Sequence, residues 1–219
     1  MTSTGTRPTA VAAGRAREDR TFWLALALKA GVVLMLVFAN LNLDAGRFAS
    51  KGMPVRLIAY PLLLAIVPAV WVLVNRRRAA ADRAAYPALT DLLITLPFFI
   101  DMLGNCLGLY DSIGAFDDVC HFLNWMLLTA GVCALLLRRR DLPPWVLAST
   151  ALAFGVTTAV IWEGVEYVTF VAENTNESPT AYADTIGDLA LGTFGTLIAA
   201  GGLWFAAARR DHAGASGRE

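Results

Sequence analysis

The sequence predicts an all-α fold: a polytopic membrane bundle of about six transmembrane helices with both termini in the cytoplasm. Three observations predict it. The chain is 57% hydrophobic and only 16% charged, with a mean hydropathy of +0.55, a balance too apolar for a soluble domain of this size. Six apolar runs reach the roughly 20 residues that a helix needs to cross the hydrocarbon core. Although the formal net charge is zero, the basic residues gather at alternate ends of those runs, the pattern that a membrane topology imposes.

Residues 1–20 are rich in Thr, Ala, Gly and Arg and nearly lack large apolar side chains, so a disordered cytoplasmic tail is expected there. The run over 22–43 is longer than the roughly 7–15-residue apolar core of a signal peptide and has no convincing small-residue cleavage site. It is predicted to be a retained first helix. Further spans are predicted over 54–75, 89–110, 117–137, 144–172 and 184–208, giving a transmembrane domain over 21–208 and a cytoplasmic tail over 209–219. On this layout Arg7, Arg15, Arg17 and Arg20, the arginines between 76 and 83, those at 138–140 and those after 208 share one side. The opposite side has only Arg47, Lys51 and Arg56, and Lys29 lies within snorkelling reach of the first side. The arginine-rich side is therefore cytoplasmic. The acidic stretch over 173–179, with its Asn176-Glu177-Ser178 sequon, becomes an external loop.

Pro61, Pro68 and Pro97 fall inside predicted spans, where each frees a backbone carbonyl and predicts a mild kink in a packed bundle. Gly192, Thr196 and Ala200 recur every four residues in the sixth span, and Gly155 and Ala159 do so in the fifth. Such stripes predict close helix packing and leave room for a homo-oligomer. Cys106, Cys120 and Cys133 lie in apolar runs without disulfide spacing and read as free buried thiols.

The informative residues are ionisable groups placed within the spans, because a charge in hydrocarbon needs compensation. On the third span Asp101 has Asn105 one turn further along the same face. The fourth opens with Asp117 and Asp118, followed by His121 and Asn124, spaced so that Asp117, His121 and Asn124 share a face. The fifth carries Glu163 and Glu166, three apart, in its outer half, and the sixth opens with Asp184 and Asp188, four apart. Four spans thus bring acids to one depth near the outer face. Asp117 and Asp184 also suit helix capping, where a carboxylate meets the positive end of the dipole. Asp101, Glu163, Glu166 and Asp188 lie too deep for that. A lone His121 is by default a packing residue. The third to sixth spans contain no Lys or Arg between their cytoplasmic ends, so as many as seven carboxylates are expected to lack a basic partner. Like charges at low dielectric then require protons, a metal ion, water or a cationic ligand.

The segments LPFFIDMLGNCLGLYD, FDDVCHFLNW, WEGVEY and YADTIGDLALGTFG, spread over about 89–200, resemble the YjdF-like family of uncharacterised bacterial inner-membrane proteins. More distantly, the aspartate-to-histidine opening of one helix and the acid-rich opening of the last are similar to VanZ-like proteins. The resemblance implies a multi-pass protein of the bacterial cytoplasmic membrane, matches Asp101, Asn105, Asp118, His121, Glu163, Glu166, Asp184 and Asp188, and implies no particular reaction.

Three functions compete on the residues alone. The leading one is a divalent-metal site open to the outer face, with His121, Asp118, Glu163, Asp188 and Asp101 as candidate ligands. Such a donor set suits zinc, manganese or iron, and an all-oxygen subset suits magnesium. Glu166 or Glu163 would serve as general base, and Asn105, Asp117, Asn124 and Asp184 complete the polar site. The reaction expected is hydrolysis or transfer on a lipid-linked or envelope substrate. The second is a small proton- or cation-coupled transporter, for which the cytoplasmic halves of the spans offer little beyond Asp91, Thr157 and Thr158. The third is an accessory protein whose acidic pocket binds a cationic group or peptide. Membrane lipids are expected partners. Nucleic acid is not, because topology already explains the dispersed arginines.

Overall fold

The computed structural model describes residues 10–171 and 180–216, and among these every regular element is helical. The helices are α1 (Ala10–Asn40), α2 (Met53–Leu64), α3 (Ile66–Asn75), α4 (Ala88–Leu107), the short α5 (Leu109–Ser112), α6 (Phe116–Leu136), α7 (Pro144–Glu166) and α8 (Ala181–Ser216). A 3-10 turn at Ala80–Asp82 precedes α4, and a π-helical turn at Tyr167–Val171 follows α7. With α2 and α3 forming one span, six helices are long and apolar enough to cross a membrane. Six successive crossings put the start of α1 and the end of α8 on one face of the bundle, here called the terminal face. The far face carries the connections at 41–52 and 108–115. The loop predicted over 173–179, sequon included, lies outside the described residues.

Two boundaries differ from expectation. α1 begins at Ala10, so residues 10–20 are helix rather than tail, because their Ala, Arg and Glu are strong helix formers that extend a helix already nucleated by the membrane span. α8 likewise continues to Ser216, past the predicted end at 208. The predicted kinks resolve into one break, at Ala65 between α2 and α3. Pro68 lacks the N–H that would bond to the carbonyl of Leu64, and its ring crowds that carbonyl. Pro61 and Pro97 remain inside continuous helix. Sharp turns on the far face use left-handed backbone at Gly52 (φ 59) and Gly108 (φ 68), a conformation that costs glycine little.

The bundle has two halves. In the first, α1 packs on α4 and α2 through a core that includes Val32, Leu36, Tyr60, Phe98 and Met102. Lys29 of α1 does not snorkel as expected. Its Nζ donates to Asp91 Oδ1 of α4 at 2.6 Å, while Tyr86 donates to Asp91 Oδ2 at 2.7 Å. Burial and this bond to Asp91 hold the Tyr86 hydroxyl protonated well above the ordinary phenol range. In the second half α8 packs on α6 and α7, and α4 meets α6 to join the two. The predicted small-residue stripes make these contacts. A Cβ at Gly155 would overlap Thr196 and Thr129, and one at Gly195 would overlap the backbone carbonyl of Phe122. Thr129 and Thr196 hydroxyls meet at 3.2 Å in the same junction.

Between α2–α3 on one side and α6–α7 on the other runs a groove of about 890 Å³, floored by α4.

Candidate functional site

His121 lies on α6, one turn inside the far face, and is 7% exposed. Three helices present carboxylates to it. Asp117, one turn earlier on α6, and Asp188 of α8 each place Oδ1 3.7 Å from His121 Nε2. Glu163 of α7 places Oε1 3.5 Å from Nδ1. Glu166 joins on the Nδ1 side, so that His121, Glu163 and Glu166 form one group of donors within 4.8 Å and Asp117, His121 and Asp188 form another. The π-helical turn beginning at Tyr167 follows Glu166 directly, and such turns recur at functional positions.

These separations are too long for hydrogen bonds. They suit the edges of a coordination shell, since donors on a tetrahedral ion with bonds of about 2.1 Å lie about 3.4 Å apart. Two buried atoms at the centre, His121 Nδ1 and Glu163 Oε1, have no hydrogen-bond partner among the described residues, and neither does Asn124 Oδ1. A buried polar atom left unpaired costs about 1–3 kcal/mol, so this is an arrangement that a bound ion or water would relieve. Glu163 and Asp188 are buried and Asp117 is half-exposed, which leaves the site reachable from one side. Asp117, Glu163 and Asp188 each have His121 as their ionic neighbour. The acidic and histidine groups could therefore hold a divalent cation.

The expectation that Asp101 lacks a basic partner is overturned. Arg56 of α2 forms an ion pair with Asp101 Oδ2, to which Tyr60 also donates at 2.8 Å. Tyr110 donates to Oδ1 at 2.9 Å, and the Asn105 side-chain amide lies 3.3 Å from the same oxygen. With both oxygens engaged, Asp101 belongs to a network beside the His121 cluster rather than to its donor set, and Asn105 hangs from it through its Nδ2 alone, its buried Oδ1 having no hydrogen-bond partner among the described residues. Burial first, and then the Asp101 carboxylate, push the Tyr110 hydroxyl far above the ordinary phenol range, so it remains a donor. Arg56, Tyr60 and Tyr110 were not candidates from sequence. The available signal was the spacing of Arg56 and Tyr60, four apart on one helix face, with Tyr110 following the Asp101 motif. The two remaining candidates, Asp118 and Asp184, are exposed at the starts of α6 and α8 and fall in neither donor group.

The groove begins at this cluster. Asp117, His121, Asn124 and Glu166 line one end of it, with Arg56, Tyr60, Asp101 and Tyr110 across the mouth. Trp125, buried against Gly192, and Trp162, tilted 37° against the Tyr60 ring at 6.5 Å, wall it from the second half of the bundle.

No curated protein and no solved structure matches the chain. A family model described as "Predicted membrane protein (DUF2238)" matches residues 23–210, the whole of the six-span bundle apart from the ends of its first and last helices. The chain therefore belongs to this family of multi-pass membrane proteins.

Proposed function

We propose that the protein is a divalent-metal-dependent hydrolase or transferase of the bacterial cytoplasmic membrane, acting at the outer face on a lipid-linked or envelope substrate. The observation that carries this reading is His121, buried among carboxylates from three helices with Nδ1 and Glu163 Oε1 unpartnered. The positive-inside distribution supports assigning the far face to the outside, and the likeness of the acidic motifs to YjdF-like and VanZ-like proteins supports an envelope setting.

His121 Nε2, Asp117 and Asp188 form the proposed holding set, whose nitrogen and oxygen donors suit zinc, manganese or iron; a magnesium site would draw on the carboxylates alone. A bound ion supplies Lewis-acid activation of water or of a phosphoryl or carbonyl oxygen. Glu163, 3.5 Å from Nδ1, would close on it as a hydrogen-bond acceptor when Nε2 held an ion, and so would fix the imidazole in the binding orientation. Glu166 sits where the groove meets the cluster and accepts the proton of the attacking hydroxyl. Asp117, half-exposed, marks the side from which substrate enters.

The test is the metal content of protein purified in mild detergent without chelator. Stoichiometric metal in the wild type, lost in His121→Ala and Asp188→Asn, supports the reading. No metal in well-folded wild type overturns it. A second reading, a proton- or cation-coupled transporter, draws on the continuation of the groove to Asn75, Thr90 and Arg138 at the terminal face. The groove's apolar middle, with Leu63, Phe98 and Leu128, opposes passage of an ion. Cation flux into vesicles reconstituted with the protein would favour transport. Retention of a basic peptide by metal-free protein would instead favour an accessory role.

A further inference from the structure

The arginines of the terminal face are not all engaged in the same way. Arg139 is held by Asp141 through two bonds of 2.8 and 2.6 Å. Arg138, Arg140 and Arg210 instead line one cleft of about 510 Å³ between the end of α6 and the C-terminal part of α8. Small side chains make the space, with Ala134 and Ala206 in its lining beside Leu137. Among the described residues no carboxylate lines it.

Arg210 is the fixed member of the three. Its side chain is only 21% exposed, and Nη1 donates to the carbonyls of Leu137 at 2.9 Å and Arg139 at 3.1 Å. Those carbonyls close the C-terminal end of α6, the negative end of its dipole, so the contact anchors the guanidinium and also covers oxygens that would repel an anion. Nε makes a long contact of 3.4 Å with the half-exposed Asp211. Nη2 is buried and has no hydrogen-bond partner among the described residues. A donor in that state calls for an oxygen that the chain itself does not supply. Arg138 and Arg140 are exposed and complete a set of forked donors of the kind that suits phosphate.

The cleft also stands at the height of lipid head groups. Trp145 of α7 and Trp204 and Phe205 of α8 are each more than half exposed, the placement of an interfacial aromatic belt. Arg210 follows Trp204 by about 9 Å along the helix. Basic clefts between membrane helices at the cytoplasmic surface are a recurrent seat for anionic head groups. We infer that this cleft binds an anionic phosphate group, reached from the surrounding phospholipid leaflet or from the aqueous side. A zwitterionic head group fits it poorly, because three guanidinium groups repel the ammonium that accompanies its phosphate. The site lies at the opposite end of α6 from His121 and is independent of any metal there.

The experiment titrates dioleoyl phosphatidylglycerol into full-length protein in mild detergent and counts bound lipid by native mass spectrometry, with dioleoyl phosphatidylcholine as the zwitterionic control. Phosphatidylglycerol is expected to bind the more tightly. Arg138→Gln and Arg140→Gln should each weaken it about fivefold, the factor for one arginine near an anionic head group. Arg210→Lys keeps the charge but cannot serve two carbonyls and a phosphate together, and should weaken binding at least as much. Arg77→Gln removes a charge from the same face outside the cleft and should leave binding nearly unchanged. If Arg210→Lys does not fold, the double variant Arg138→Gln with Arg140→Gln carries the test. Inorganic phosphate, titrated alone and against the lipid at constant ionic strength, separates the two sources. Phosphate that binds and displaces the lipid marks a soluble ligand, and lipid that resists it marks the leaflet. Binding of neither probe would overturn the inference, as would equal binding of the zwitterionic lipid. A loss in Arg77→Gln equal to that in the cleft variants would overturn it too, by reducing the effect to diffuse attraction toward a basic face.

Discussion

Arg56 of α2 is paired with Asp101 of α4 across the mouth of the groove, in a contact where both side chains are nearly buried. The pair cross-links the wall that flanks the His121 cluster to the helix that floors it. Removing one partner strands a charge at low dielectric, which typically costs about 3–5 kcal/mol. Arg56→Met should therefore lower the melting temperature in detergent more than the double variant Arg56→Met with Asp101→Leu. If the single and double variants melt alike, the ion pair has no special role in holding the mouth.

The two glutamates of α7 should separate by readout. Glu163→Gln is expected to weaken metal retention, because Glu163 faces His121 Nδ1 and an imidazole that loses its orienting carboxylate typically loses about 10–100-fold in metal affinity. Glu166→Gln should keep the metal and lose turnover. Metal analysis of the two variants side by side decides this, and equal metal loss would place Glu166 among the ligands.

Chelation offers a check independent of any substrate. An ion that binds only the folded chain stabilises it by mass action, by about 2.7 kcal/mol at a hundredfold excess over its dissociation constant. Melting of wild-type protein should fall on adding chelator and recover with one of zinc, manganese, iron or magnesium. His121→Ala should melt at one temperature throughout.

Packing of the second half should respond to single methyl groups. Gly195→Ala pushes a Cβ onto the carbonyl of Phe122 and should cost about 1–3 kcal/mol. Gly201→Ala meets nothing within 4 Å and should be neutral or stabilising by the roughly 0.5–1 kcal/mol that alanine gains over glycine in a helix. Thermal melts of the pair test whether the stripe is an internal contact.

Orientation can be read by cysteine accessibility in a background without Cys106, Cys120 and Cys133. Asp44→Cys lies on the far face and Asp141→Cys on the terminal face, by the order of the spans. An impermeant maleimide should label Asp44→Cys in intact cells and Asp141→Cys only after permeabilisation. The reverse pattern would put the His121 cluster on the cytoplasmic side.

Much of this architecture was legible because a membrane span writes its length and apolarity into about 20 consecutive residues. The acidic depth was legible for a related reason: helix periodicity ties Asp117 to His121 and Asp184 to Asp188 without tertiary information. What escaped was whatever depended on which helices touch. Asp101 looked unpaired because its cation comes from α2, a span that carries no acid to draw attention to it. Asp118 and Asp188 were both candidate ligands, yet one is exposed at a helix start and the other is 4% exposed beside the imidazole. The 10–20 segment was misread because a charged composition fits a free tail and a helical extension equally well.

The division of labour between the two halves has an evolutionary consequence. Every proposed metal ligand sits on α6, α7 or α8, locked together at the Gly155, Thr129 and Thr196 junction, whereas the opposite wall of the groove is α3, tied to the remainder of the molecule through α4 and the break at Ala65. Substitutions on that wall can widen, shorten or reshape the channel without disturbing a ligand. If the proposed chemistry is shared, relatives could diverge in what their grooves accept while keeping the ligands, and the residues at which α3 varies between them would report preference rather than mechanism.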